Sequence, residues 1–161
     1  KDYFDKGVQF LLDYYFKHHP FDDNTLELEK QITISLGEEG KYKINGFIDR
    51  LSYNLKTCEY EVHDYKTAGS LPSKEKIEGD RQLGLYSIAI KEIYGKDKEV
   101  CMIWHYLAHD LKLCVRKTNE QLETLKKETL ELIKKIETTS QFEANKSVLC
   151  DWCEYRSMCG E

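Results

Sequence analysis

The sequence contains no run of about 18 or more apolar residues, so it offers no helix able to span a bilayer. It also lacks a basic stretch leading into an apolar one at its start, the mark of a secretory signal. A cytoplasmic chain with no membrane partner is therefore expected. Positive charge is not in excess: 24 Lys and Arg stand against 29 Asp and Glu, a formal net charge of -5. Coating of nucleic acid through bulk charge is disfavoured by that balance, and any nucleic-acid contact has to use a local basic patch or a metal ion. Internal repeats and low-complexity segments are absent. With 161 residues, 40% of them hydrophobic, the chain has enough mass and apolar content for one globular domain with its own core.

Cysteine, by contrast, is present six times. Cys58, Cys101 and Cys114 are scattered, the last two on apolar segments that read as core, whereas Cys150, Cys153 and Cys159 crowd together near the end. In a chain expected in the cytoplasm, such a cluster suggests a metal rather than disulfides.

Hydrophobic periodicity orders the rest. "DYFDKGVQFLLDYYFKHHP" sets Phe4, Val8, Leu11, Leu12 and Tyr15 at helical spacing, closed by Pro20. The helix begins at the first residue with no capping residue before it, which leads us to expect that the chain is the tail portion of a longer protein. "TLELEKQITISL" alternates as a strand with a slip at Glu29–Gln31, "GEEG" turns it, residues 41–54 form a second strand, and a turn at "LKT" leads into a third. A polar loop over 68–75 precedes a helix predicted over 76–95, spaced by Ile77, Leu83, Ile90 and Ile93 and weakened by Gly79 and Gly84. Two strands then flank a turn at His109–Asp110, and "NEQLETLKKETLELIKKIETT" makes a last helix with Leu122, Leu125, Leu132, Ile133 and Ile136 on its apolar side. The order α-βββ-α-ββ-α predicts an α/β fold, a mixed sheet flanked by helices.

One strand carries an unusual ending. "EYEVHDYKT" alternates Tyr60 and Val62 with Glu61 and His63, and its period of two puts Asp64 and Lys66 on one face with Tyr65 turned away. Asp49 lies at the end of the preceding strand, and a hairpin between the two would bring both carboxylates to one sheet edge. Mg²⁺ or Mn²⁺ suits such a pair, since a hard cation takes one or two carboxylates together with water and phosphate oxygens, and the Tyr65 backbone carbonyl could complete the shell. Lys66 would orient the attacking water and stabilise charge on the phosphate. An ordinary Asp–Lys surface pair is the alternative for this fragment taken alone.

The company it keeps is more specific. "GFIDR" (46–50), "VHDYKT" (62–67), "QLGLY" (82–86) and "CDWCEYRSMC" (150–159), in that order, resemble the RecB-like branch of the PD-(D/E)XK nuclease superfamily, which includes the nuclease domains of helicase–nucleases and CRISPR-associated RecB-like exonucleases. The resemblance implies a restriction-endonuclease-like core over 1–161 lacking the family's leading segment, with a cluster-binding tail over 147–161. It implies a metal-dependent deoxyribonuclease, an exonuclease, with Asp49 and Asp64 as metal ligands and Lys66 as the catalytic lysine. Gln82 and Tyr86 match the Q-x-x-x-Y motif and, four apart, share a helical face toward DNA or the site; a buried glutamine and a core tyrosine are the alternative. Cys150, Cys153 and Cys159 match three of the four cysteines that hold a 4Fe–4S cluster. The fourth thiolate and a metal-binding histidine of the family have no counterpart here, so the cluster site is expected to be incomplete and this chain alone to be inactive. Three cysteines that stay free or bind zinc are the other reading. DNA is the implied partner, with a helicase or a CRISPR-associated protein beside it. A non-catalytic DNA-binding scaffold module is the competing function.

The remaining candidates have bland readings. Glu29 could approach the metal but is expected to face solvent. His18 and His19 end the first helix, where an imidazolium complements the dipole. His63 alternates away from Asp64. Lys126, Lys127, Lys134 and Lys135 read as a solvated face of the last helix, or as a phosphate-tracking stripe. Trp152, Tyr155 and Arg156, inside the cysteine loop, could stack on a base of single-stranded DNA or pack the loop down.

Overall fold

The computed structural model describes residues 2–159. They form two compact units that divide between Leu130 and Glu131, each described by itself. In the first unit, helix α1 (Asp2–His18) leads into strands β1 (Thr25–Leu36), β2 (Tyr42–Asn54) and β3 (Glu59–Lys66), then helices α2 (Lys74–Glu78) and α3 (Arg81–Tyr94), strands β4 (Glu99–Tyr106) and β5 (Leu111–Val115), and the start of helix α4 (Asn119–Thr138). The five strands make one sheet in chain order, and this is the mixed sheet flanked by helices that the periodicity predicts. β1, β2 and β3 form an antiparallel meander, β3 and β4 are parallel, and β4 and β5 are antiparallel. The parallel pair needs a crossover, which α2 and α3 supply.

The core lies on one face of the sheet, where Val62, Met102 and Trp104 from β3 and β4 meet Leu83, Ile88 and Ile90 of α3 and Leu122 and Leu125 of α4. Gly84 lets the last two elements approach: a Cβ there would lie 2.5 Å from Leu125 Cδ2. In β2, Ile48 and Leu51 are both fully buried in this core although they are three residues apart, which strict alternation forbids. The strand turns over between them, at Asp49. On the neighbouring strand, Glu29 occupies the facing register position with a left-handed backbone, φ 48°, where the sequence suggests a slip.

Three sequence expectations are corrected. The helix predicted over 76–95 is broken at Gly79, because the Asp80 side chain caps a new helix by accepting from the Leu83 amide at 3.1 Å. α1 does not bury Phe4, Leu11 or Tyr15; its half-buried line is Gly7, Phe10, Tyr14 and His18. Periodicity marks both lines as helical, and the sheet end that α1 meets is aromatic and polar, so Tyr14 and His18 fit it: Tyr14 Oη lies 3.0 Å from Tyr65 Oη, and the Tyr14 and His18 rings both pack edge-on to His105. Of the two cysteines read as core, Cys101 is buried but Cys114 is exposed on the edge strand, and the two are joined as a disulfide.

The second unit holds the last turns of α4 and two short 3-10 segments, Val148–Trp152 and Arg156–Cys159. Among the described residues no helix is long and apolar enough to cross a membrane.

Candidate active site

Asp49, Asp64 and Lys66 come together where β2 and β3 part. Their ladder ends at Arg50 opposite His63, and one step beyond it the Asp49 side chain takes over, Oδ2 accepting from the Tyr65 amide at 3.0 Å. The turnover of β2 at Asp49 brings that side chain to the side of the sheet from which Asp64 projects. Asp64 is 4% exposed, and its Oδ2 lies 2.8 Å from Lys66 Nζ but outside hydrogen-bonding geometry, so no hydrogen bond reaches it. Burial raises the Asp64 carboxyl above its ordinary value, against the pull of Lys66 and with the repulsion of Asp49 and Asp80. Burial would lower the Lys66 ammonium, but Asp64, and behind it Asp80 and Asp49, hold it above its ordinary value.

This donor set fits a hard divalent cation. A buried carboxylate oxygen without a hydrogen bond, beside a second carboxylate and an excess of negative charge, is what such an ion relieves. Among the described residues no three His, Cys, Asp or Glu side chains converge on a metal position, so a cation held here would take two carboxylates and complete its shell with main-chain, water or substrate oxygens.

Lys66 opens onto a cleft of about 460 Å³ shared with Lys76, Asp80, Trp104 and Tyr106 and floored by the 68–73 loop. Asp80 reads in the sequence as one acid within the helix predicted over 76–95; its place at the site emerges only from the break between α2 and α3. Gln82 and Tyr86, two and six residues on, bond to each other, Nε2 donating to Oη at 2.9 Å. Tyr86 is buried against Gly46 of β2, where a Cβ would lie 3.0 Å from its Cε1, while Gln82 is exposed. The motif thus joins α3 to the strand that carries Asp49.

Behind the carboxylates, on the opposite face, lies a polar network that the sequence reading does not anticipate. His63 does alternate away from Asp64, and its ring meets Arg50 Nη2 and His105 Nε2, each 2.9 Å from Nδ1, and Ser52 Oγ, 2.9 Å from Nε2. Arg50 also pairs with Asp23, and His105 stacks on Tyr65. Burial lowers both histidines: His63 against the upward pull of Glu61, and His105, with His63 and Arg50 beside it, to about 3. Neutral rings stacked beneath Tyr65 and beside Asp64 support the strand end from below. The only sequence signal for this network is polar residues on inward-facing strand positions. A separate cavity of about 60 Å³, between α1 and the β4–β5 turn, is too small for a nucleotide.

Glu29 is exposed. His18 is lowered by burial and by Lys17 and Arg50, so the imidazolium expected at the helix end is disfavoured. Lys126 pairs with Glu92 at 3.5 Å and Glu123 at 3.2 Å instead of forming a free stripe; Lys127, Lys134 and Lys135 lie on the same helix, the last two in the second unit. There, Cys150, Cys153 and Cys159 are free thiols that do not converge among the described residues. Arg156 pairs with Asp151 at 3.0 Å, and Trp152 and Tyr155 are exposed. Cys58 is exposed in the β2–β3 turn at φ 58°, away from the other cysteines in sequence.

Comparison with known proteins agrees with this fold. Among solved structures, the crystal structure of SSO0001 has a similar fold, with a TM-score of 0.55 at 17% identity over 96% of this chain and 68% of that one. No curated protein matches the sequence. A profile of the PD-(D/E)XK nuclease superfamily matches residues 2–160, the span that holds the Asp49, Asp64 and Lys66 constellation, and the chain belongs to that superfamily of metal-dependent nucleases.

Proposed function

We propose that this chain is the nuclease domain of a RecB-like deoxyribonuclease, an exonuclease that hydrolyses DNA phosphodiesters with Mg²⁺ or Mn²⁺. The observation that carries the reading is the buried Asp64 oxygen left without a hydrogen bond between Asp49 and Lys66, the lysine lining an open cleft. Asp49 and Asp64 would hold the ion, together with the Tyr65 carbonyl. Bound there, a divalent ion supplies a water of lowered pKa and neutralises charge on the phosphate. The chain's own groups do the rest. The Tyr65 amide fixes the Asp49 carboxylate, burial fixes Asp64, and Lys66, kept protonated by its acidic neighbours, sets a positive charge at the edge of the cleft where a phosphate would develop negative charge. Gln82 and Tyr86 hold the α3 edge in register with β2 and reach toward the DNA, with Arg156 as a further contact. Cys150, Cys153 and Cys159 would give three thiolates to a 4Fe–4S cluster in the whole protein, acting in DNA repair, recombination or CRISPR-type processing beside a helicase or a CRISPR-associated partner.

Lys66→Ala tests the reading. Cleavage of linear DNA with Mg²⁺ or Mn²⁺ should fall by ~10²-fold or more, the scale for removing one preorganised charge, while affinity for the same DNA in Ca²⁺ changes far less. DNA binding without metal-dependent cleavage by the wild type, on single-stranded, double-stranded and tailed substrates, would leave the scaffold reading in place of the nuclease.

A further inference from the structure

Lys66 and a divalent ion compete for the same carboxylate. In the structure Lys66 Nζ sits 2.8 Å from Asp64 Oδ2, the atom with no hydrogen bond and the one a cation would take. With Asp64 given over to a cation, the Lys66 side chain, about a third exposed, would need another anion to hold it at the cleft rather than in bulk water. Asp80 is that anion by position. It borders the same cleft as Lys66, half-buried at the start of α3, and its capping bond to the Leu83 amide uses Oδ1. Its charge acts on Lys66 and on Asp64 alike.

We propose that Asp80 is a positioning residue that receives Lys66 when the metal takes Asp64, so that the lysine faces substrate from a fixed anchor. This rests on the assignment of Asp49 and Asp64 as metal ligands. The helix cap and the anchor are separable functions. Asparagine caps a helix as well as aspartate does, so Asp80→Asn removes the charge and leaves α3 intact.

Two measurements test it. The first needs no metal: in a crystal structure of Asp64→Asn, where the neutral side chain no longer holds the ammonium, Lys66 Nζ should lie within ion-pair distance of the Asp80 carboxylate. Lys66 turned to solvent overturns the proposal, whether or not the chain is a nuclease. The second is a double-mutant cycle read by calorimetric titration of Mn²⁺. Asp80→Asn should weaken Mn²⁺ binding ~10-fold in the otherwise wild-type chain, since Lys66 then stays on Asp64, and by no more than ~3-fold in the Lys66→Ala background, within the coupling range of neighbouring residues. Equal effects in the two backgrounds would mean that Asp80 acts on the ion without Lys66, and no effect in either would mean that it does not act on the site; both overturn the proposal. Absence of Mn²⁺ binding by the wild type would overturn the metal assignment itself, a result distinct from these.

Discussion

Asp64→Asn is expected to make the metal-free protein more stable while removing its response to metal. The wild-type carboxylate is almost wholly buried, and one oxygen has no hydrogen bond. An unsatisfied buried polar group costs about 1–3 kcal/mol, more when it is charged. The contact with Lys66 offsets about 1 kcal/mol at most, because the lysine side chain is 35% exposed and screened by water. Asparagine keeps the shape and removes the buried charge, for a net gain of about 1 kcal/mol, or about 2–4 °C in a domain of this size. The sign with pH follows from linkage. The folded-state carboxyl titrates above its ordinary value of 3.8, so the folded protein keeps this proton where the unfolded chain has lost it, and stability falls as pH rises through that window. The advantage of the asparagine variant should therefore vanish below about pH 3.8 and open above it. Thermal melts followed by circular dichroism, in EDTA and in Mn²⁺, read both effects. At ~100 times its Kd, Mn²⁺ should stabilise the wild type by about 2.7 kcal/mol and the variant not at all. A variant less stable than wild type in EDTA at neutral pH, or one stabilised equally by Mn²⁺, would refute the account of this site as a carboxylate held in readiness for a cation.

Two further outcomes concern the frame around the site. The hydrogen bond from His63 holds the Glu61 carboxyl down to about 2, against burial and with help from Asn54, so its contribution to stability is present above the ordinary 4.5 and is lost as pH falls toward 2. In Glu61→Gln that loss should be missing from urea midpoints followed across the window; an unchanged slope would assign it to other acids. Gly46→Ala should destabilise by about 1–3 kcal/mol, because the new methyl meets Tyr86 at 3.0 Å in a packed core, and the Gln82–Tyr86 bond should loosen with it. Equilibrium unfolding measures the first, and the chemical shift of the Gln82 side-chain amide measures the second.

Alternation and spacing alone determined the five strands, their order and the first and last helices: they placed Asp64 and Lys66 on one face of β3, ended α1 before Pro20, and gave Gln82 and Tyr86 a common helical side. These are local consequences of periods of 2.0 and 3.6 residues, which any stretch of chain expresses by itself. The sequence does not carry what depends on elements far apart in the chain. The parallel pairing of β3 with β4 sets Trp104 beside Asp64 and Tyr106 beside Lys66, and no local pattern encodes it. The turnover of β2 between Ile48 and Leu51 is invisible to an alternating template, yet it brings Asp49 to the Asp64 side of the sheet. Asp80 reads as one acid in a continuous helix until its side chain caps α3 and breaks that helix in two. The His63–His105 pair, 42 residues apart, forms only because two buried strands present polar side chains to each other, where each must find a partner inside the protein. Burial decided the chemistry as well: an Asp–Lys pair on an exposed edge strand is a weak ion pair, and the same two residues at a buried strand end, with one oxygen unsatisfied, make a site for a cation.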